Sequence, residues 1–308
     1  MNKLTKYGLT ALAGSLVATS VSAGELGVTG AWSWSYDAID SDESGQPMSM
    51  GDSVTFAGSG ETDQGWTAGV SYELDGGNFD DYKLTLDMGD GGNLTFGGGS
   101  VAGDGISLVS NIVPHADTAV YNMADDATDY GVADGASSDS NLGYNVTVGD
   151  VKVSAEMQKG AGTSRGYGLT YTGIENLTLA YGQGEVSPGQ KNGGNDEQVW
   201  GIKYAIAGAT LAYMQTEVDV GAATGAGADE EGTHMGVSFA VNDDLTISYG
   251  VQDVEITGKT FDEKNSGFGI SYTMGSMSVK AYAGKTENGN GVSTADDEGK
   301  GITLSIAF

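Results

Sequence analysis

The chain has 308 residues, of which 42 are acidic and 13 basic, for a formal net charge of −29. That balance excludes nucleic acid as a partner, because phosphate contacts need clustered Lys and Arg. The absence of cysteine excludes disulfides, thiol chemistry and Cys-ligated zinc, and suits an exported bacterial chain.

Residues 1–23 read as a secretory signal peptide. Lys3 and Lys6 form its positive end, an apolar stretch follows from Tyr7 to about Val21, and Val21-Ser22-Ala23 is a small-residue cleavage site. Without the two leader lysines the balance is 42 acidic against 11 basic residues. Beyond the leader no run approaches the ~18 apolar residues of a spanning helix. Any membrane domain in 24–308 must therefore be a β-barrel.

From Leu26 onward apolar and polar residues alternate with the period of two that marks β-strands with different environments on their two faces. The first strand (25–36) places Leu26, Val28, Trp32, Trp34 and Tyr36 on one side. The same apolar face continues through 52–61 (Val54, Phe56), 66–74 (Trp66, Val70, Tyr72), 82–88 (Tyr82, Leu84, Leu86), 94–100 (Leu94, Phe96) and 141–148 (Leu142, Tyr144, Val146). Odd positions carry it in 151–158, 166–172 and 177–183, through Val153, Leu169 and Leu179. It then runs through 197–206 (Trp200, Ile202, Tyr204), 209–217 (Leu211, Tyr213), 233–241 (Met235, Val237, Phe239) and 245–255 (Leu245, Ile247, Tyr249). The last strands are 266–274 (Phe268, Ile270, Tyr272), 277–285 (Met277, Val279) and a terminal segment ending Ile302, Leu304, Ile306, Phe308. Sixteen strands is an even number, as single-chain bacterial outer-membrane barrels require.

Tight turns are expected after even strands, as at Gly149-Asp150, Ala207-Gly208 and Gly275-Ser276. Longer acidic connections are expected after odd ones, at 37–51, 184–196, 218–232 and 286–298. Short turns on one rim and long loops on the other are the topology of a transmembrane barrel. Aromatics at both ends of the apolar face suit the two lipid interfaces. With only 39% hydrophobic residues, the chain has enough for an outer face in lipid and a polar lumen, and too few for a thick soluble core. The predicted fold is all-β, a 16-stranded antiparallel transmembrane β-barrel.

One connection is out of scale. Residues 101–140 hold Asp104, Asp117, Asp125, Asp126, Asp129, Asp134 and Asp139 and no Lys or Arg. Loops of this length are functional or disordered. The apolar residues Ile106, Leu108, Val109, Ile112 and Val113 argue for packing on a surface, which an inward fold against the barrel wall provides. Such a fold would narrow the lumen with carboxylates.

These features together, the leader, the strand at Leu26–Tyr36, the long loop after the fifth strand and the terminal Ile302–Phe308 segment, resemble the trimeric general porins of Gram-negative bacteria, especially the alphaproteobacterial type. The resemblance covers nearly the whole mature chain. It implies a homotrimer in outer-membrane lipid, passing small hydrophilic solutes and cations, with 101–140 as the inward-folded third outer loop that forms the constriction. It also implies that the C-terminal phenylalanine is read by the outer-membrane assembly machinery. Outward Gly30, Gly58 and Gly98 are candidates for close subunit approach.

Parity puts Lys83, Lys152, Lys203 and Lys280 on the lumen wall. The family sets a tight, Arg-rich cluster against the acidic loop, whereas this chain has a single arginine, Arg165, near a loop. Each lysine is equally well read as a solvated lumen residue paired with Asp87, Glu156 or Glu197. A lumen dominated by carboxylates favours cations. No cofactor is expected, although Asp125, Asp126 and Asp129 could supply oxygen ligands to calcium.

Three alternatives have less support. A hydrolase needs a general base beside a nucleophile. The only histidines, His115 and His234, stand alone, and no G-x-S-x-G, HExxH or phosphate loop is present. A substrate-specific channel needs an aromatic or basic slide, and Tyr282 is a single lumen aromatic. A secreted acidic calcium-binding β-protein would leave the segregation of turns and loops without a cause.

Overall fold

The computed structural model describes residues 26–39, 47–98, 112–114, 141–159, 163–185, 194–220 and 228–308. These form sixteen antiparallel strands. The first half comprises β1 (Leu26–Ile39), β2 (Met48–Glu61), β3 (Thr67–Asp75), β4 (Asn78–Asp87), β5 (Asn93–Gly98), β6 (Asn141–Val148), β7 (Val151–Lys159) and β8 (Thr163–Ile174). The second comprises β9 (Leu177–Glu185), β10 (Asn195–Ile206), β11 (Ala209–Val220), β12 (Glu230–Ala240), β13 (Leu245–Ile256), β14 (Glu263–Met274), β15 (Met277–Glu287) and β16 (Asp297–Ala307). Each strand pairs with its sequence neighbours and β1 pairs with β16, so the sheet closes and no edge is left unpaired.

Burial inverts the pattern of a soluble β-protein. Along β8, outward Arg165, Tyr167 and Leu169 are exposed while inward Ser164, Gly166 and Gly168 are buried. Leu211 is 50% exposed, Phe268 48% and Ile270 39%, all on the outer face. Leaving that many large apolar side chains in water would cost on the order of tens of kcal/mol over the barrel. A lipid exterior removes the cost.

Gly76-Gly77 corrects the expected rule of long connections after odd strands, since this two-residue turn joins β3 to β4, both glycines at positive φ. The register shifts between Tyr72 and Leu74, so Leu74 pairs with Phe79 while Tyr72 pairs with Tyr82. This bulge switches the parity of the apolar face inside β4, which hides the strand's first residues from a strict alternation. The connection 160–162 is also short. The other tight turns fall where expected, at Gly149-Asp150, Ala207-Gly208 and Gly275-Ser276.

Gly30 is not free for a neighbouring subunit. It exchanges backbone hydrogen bonds with Phe308, and the Phe308 ring fills the space that a side chain on Gly30 would need. The glycine serves the closing seam of the barrel.

Candidate functional site

The site is the lumen. Its wall alternates with the outer face, so each inward residue is fixed by strand parity and by the register of the strand beside it. Pairing places Gly236, Gly250, Gly267, Gly284 and Gly299 in one inward-facing row across five adjacent strands, β12 to β16. A row of buried side chains runs parallel to it: Met214, His234, Gln252, Asn265 and Thr286. Sequence reasoning missed both rows. The signal was available, because the glycines stand at matching distances from the hairpin turns 241–244 and Gly275-Ser276.

The buried row is hydrogen-bonded. Thr216 Oγ1 lies 3.0 Å from His234 Nε2. Asn265 Nδ2 donates to Gln252 Oε1 at 3.2 Å and to Glu263 Oε1 at 2.7 Å, and Thr286 Oγ1 donates to Asn265 Oδ1 at 2.5 Å. Glu263 Oε2 accepts the Asn290 backbone N–H at 2.8 Å. Glu263 therefore ties the long connection between β15 and β16 to the inner wall.

Three described residues of the 101–140 connection sit inside the barrel. Ile112 and Val113 are buried, at 6% and 3% exposure. A Cβ built on inward Gly201 would stand 2.8 Å from Ile112 Cγ2, and one on inward Gly236 would stand 2.5 Å from Val113 Cγ1. The apolar residues thus rest where the wall has no side chain, beside buried Met214 and Val199. Val199 and Met214 make this part of the lumen wall apolar, within a face that is mostly polar. Asp104, Asp117, Asp125, Asp126 and Asp129 lie outside the described residues, and so does the proposed calcium set. Among the described residues no group of three His, Asp or Glu is arranged to hold a metal.

Lys83 (β4), Lys152 (β7), Lys203 (β10) and Lys280 (β15) all face the lumen, half-buried and on four separated strands. Among the described residues none of them forms an ion pair with Asp87, Glu156 or Glu197. The two described ion pairs, Lys264–Asp253 and Lys285–Glu287, are on the outer face. Only Lys203 lines the same cavity as Ile112 and Pro114, together with Thr172, Thr178, Thr210 and Ser238. Tyr282, also inward, donates a 2.8 Å hydrogen bond from its hydroxyl to Asp37 Oδ1 on β1. It reaches across Gly301 of the intervening β16, where any side chain would collide with both groups.

Inward carboxylates on the described wall comprise Asp37, Glu61, Glu73, Asp75, Asp81, Asp87, Glu156, Glu197, Glu230, Glu263 and Asp297. Against them stand the four lysines. The lumen wall is net acidic before any contribution from the long connection.

Comparison with known proteins agrees with this geometry. A family model described as Gram-negative porin matches residues 8–299. An anion-selective porin from Comamonas acidovorans superposes with a TM-score of 0.67 at 13% identity, covering 92% of this chain and 99% of that one. A loop L8 deletion mutant of OmpT, an outer membrane protein of Vibrio cholerae, gives 0.65 at 16% identity, covering 93% and 100%. A mutant of Rh. blastica porin gives 0.65 at 14% identity, covering 92% and 100%. Comparison of the sequence with curated proteins gives no match.

Proposed function

This chain belongs to the Gram-negative porin family, and from that premise we propose that it is a cation-preferring diffusion channel. As a family member it is an outer-membrane channel for passive diffusion and not an enzyme. The observation that carries the cation preference is the excess of inward carboxylates over the four inward lysines. Fixed negative charge in a water-filled pore with low-dielectric walls concentrates cations and excludes anions. The fold itself does not choose the sign, since one structural neighbour is described as anion-selective.

In this reading residues 101–140 form the constriction, with Asp104, Asp117, Asp125, Asp126 and Asp129 adding to its negative charge. Support comes from Ile112 and Val113, which anchor that connection on the inner wall at Gly201 and Gly236. Lys83, Lys152, Lys203 and Lys280 moderate the preference. The working unit is a homotrimer formed after removal of residues 1–23. Liposome swelling tests the diffusion reading: uptake of neutral sugars should fall smoothly with solute size and show no saturation. Uptake confined to one sugar, or saturating at low concentration, contradicts it.

A further inference from the structure

Three of the four inward lysines, Lys152, Lys203 and Lys280, lie within three positions of one end of the barrel, and Lys83 stands mid-strand in β4. Lys83 precedes the end of β4 at Asp87 by four positions, and Lys203 precedes the end of β10 at Ile206 by three. Lys152 follows the start of β7 at Val151 by one, and Lys280 follows the start of β15 at Met277 by three. All four strand ends named here lead into short turns. The inward carboxylates gather toward the opposite end: Asp37 is near the end of β1, Glu73 and Asp75 end β3, and Glu197 is near the start of β10. Glu230, Glu263 and Asp297 are the first residues of β12, β14 and β16.

Two inward carboxylates, Asp87 and Glu61, break the pattern, and Asp87 is turned to local work. Asp87 Oδ1 accepts the Gly89 backbone N–H at 2.9 Å, capping the turn that follows β4. Glu61 Oε1 lies over Gly65 of its own turn, 3.9 Å from where a Cβ would be. Asp63, Asp90, Asp150, Glu175, Asp243 and Asp244 sit exposed in the turns themselves, beyond the lumen wall.

We propose that the lumen is polarised along its axis, with a lysine collar at the short-turn end in series with a carboxylate zone at the loop end, and that it conducts asymmetrically. The proposal rests on the reading of the barrel as an open aqueous channel and assigns the collar lysines a role beyond moderating selectivity. The carboxylate zone enriches cations and the collar enriches anions. When the loop side is positive, the field drives cations from the carboxylate zone and anions from the collar toward their junction, so mobile ions accumulate there and current rises. When the loop side is negative, both species leave the junction and current falls. Screening limits the effect to low salt: the Debye length is ~10 Å at 0.1 M and ~3 Å at 1 M ionic strength.

The test is the instantaneous current of single purified channels at equal and opposite voltages in 0.1 M and 1 M KCl. Orientation is assigned through Thr260→Cys, the single thiol of an otherwise cysteine-free chain, biotinylated and bound by streptavidin from one chamber. Thr260 is exposed in the connection between β13 and β14, at the loop end. The expected result is a larger current with the loop side positive at 0.1 M and loss of the asymmetry at 1 M. Replacing Lys83, Lys152, Lys203 and Lys280 with Gln should also abolish it at 0.1 M. Lys203→Gln alone should reduce it and serves if the fourfold variant does not fold. Equal currents at 0.1 M, an asymmetry of opposite sign, or one that survives the Gln substitutions overturns the proposal while leaving the diffusion channel intact. Absence of any conductance overturns both.

Discussion

Phe308 closes the barrel over Gly30. The two residues exchange backbone hydrogen bonds, Gly30 N–H to Phe308 O at 2.7 Å and Phe308 N–H to Gly30 O at 2.9 Å. The ring fills the site of the missing side chain, with Phe308 Cε2 at 2.5 Å from where a Cβ would stand. Gly30→Val should therefore push the ring away and destabilise the seam by about 1–3 kcal/mol, the usual range for overpacking. Heat-modifiable migration on gels measures it: the variant should unfold at a lower temperature than the native protein, and Gly30→Ala should fall between them.

A second brace spans the same seam from inside. Tyr282 on β15 reaches over Gly301 on β16 to Asp37 on β1. Tyr282→Phe removes the hydroxyl and should cost about 1 kcal/mol. Gly301→Ala should cost more, because its methyl group meets both partners. Urea unfolding in detergent, read by tryptophan fluorescence, gives the order expected: native, then Tyr282→Phe, then Gly301→Ala as the least stable.

Glu263 holds the connection between β15 and β16 through Asn290. Glu263→Ala leaves the exposed Asn290 N–H to water and one buried donor of Asn265 without this acceptor, the latter at a cost of about 1–3 kcal/mol. The loss is local, so limited proteolysis should cut within 288–296 faster in the variant while the strands stay intact. Equal cutting rates would show that the tie does not hold the connection.

Gly236 gives Val113 its place on the wall. Gly236→Leu should displace residues 112–114 toward the barrel axis and lower single-channel conductance, with heat-modifiable migration unchanged. An unaltered conductance would mean that this segment does not border the ion path.

The barrel was legible in the sequence because lipid and water impose opposite chemistry on alternate residues, and Leu304, Ile306 and Phe308 against Thr303 and Ser305 already display it. The β3–β4 hairpin was not, since a bulge at Tyr72/Leu74 switches parity where Gly76-Gly77 turns the chain. At the site, parity identified Lys83, Lys152, Lys203 and Lys280 as inward, but the nearness of the last three to the short turns depends on where each strand ends. The reason for a glycine at 30 was also hidden, because its partner lies at residue 308. Inward Val199 and Met214 broke the polar pattern visibly, yet only the contact of Ile112 with Gly201 shows what an apolar wall supports.

The proposed cation preference rests on the excess of inward carboxylates. The most direct test is the reversal potential of the purified protein in a planar bilayer separating 0.1 M from 1 M KCl. The expected result is a reversal potential of the sign set by potassium, growing when both solutions are diluted tenfold because the Debye length then increases. A reversal potential of the sign set by chloride would contradict it.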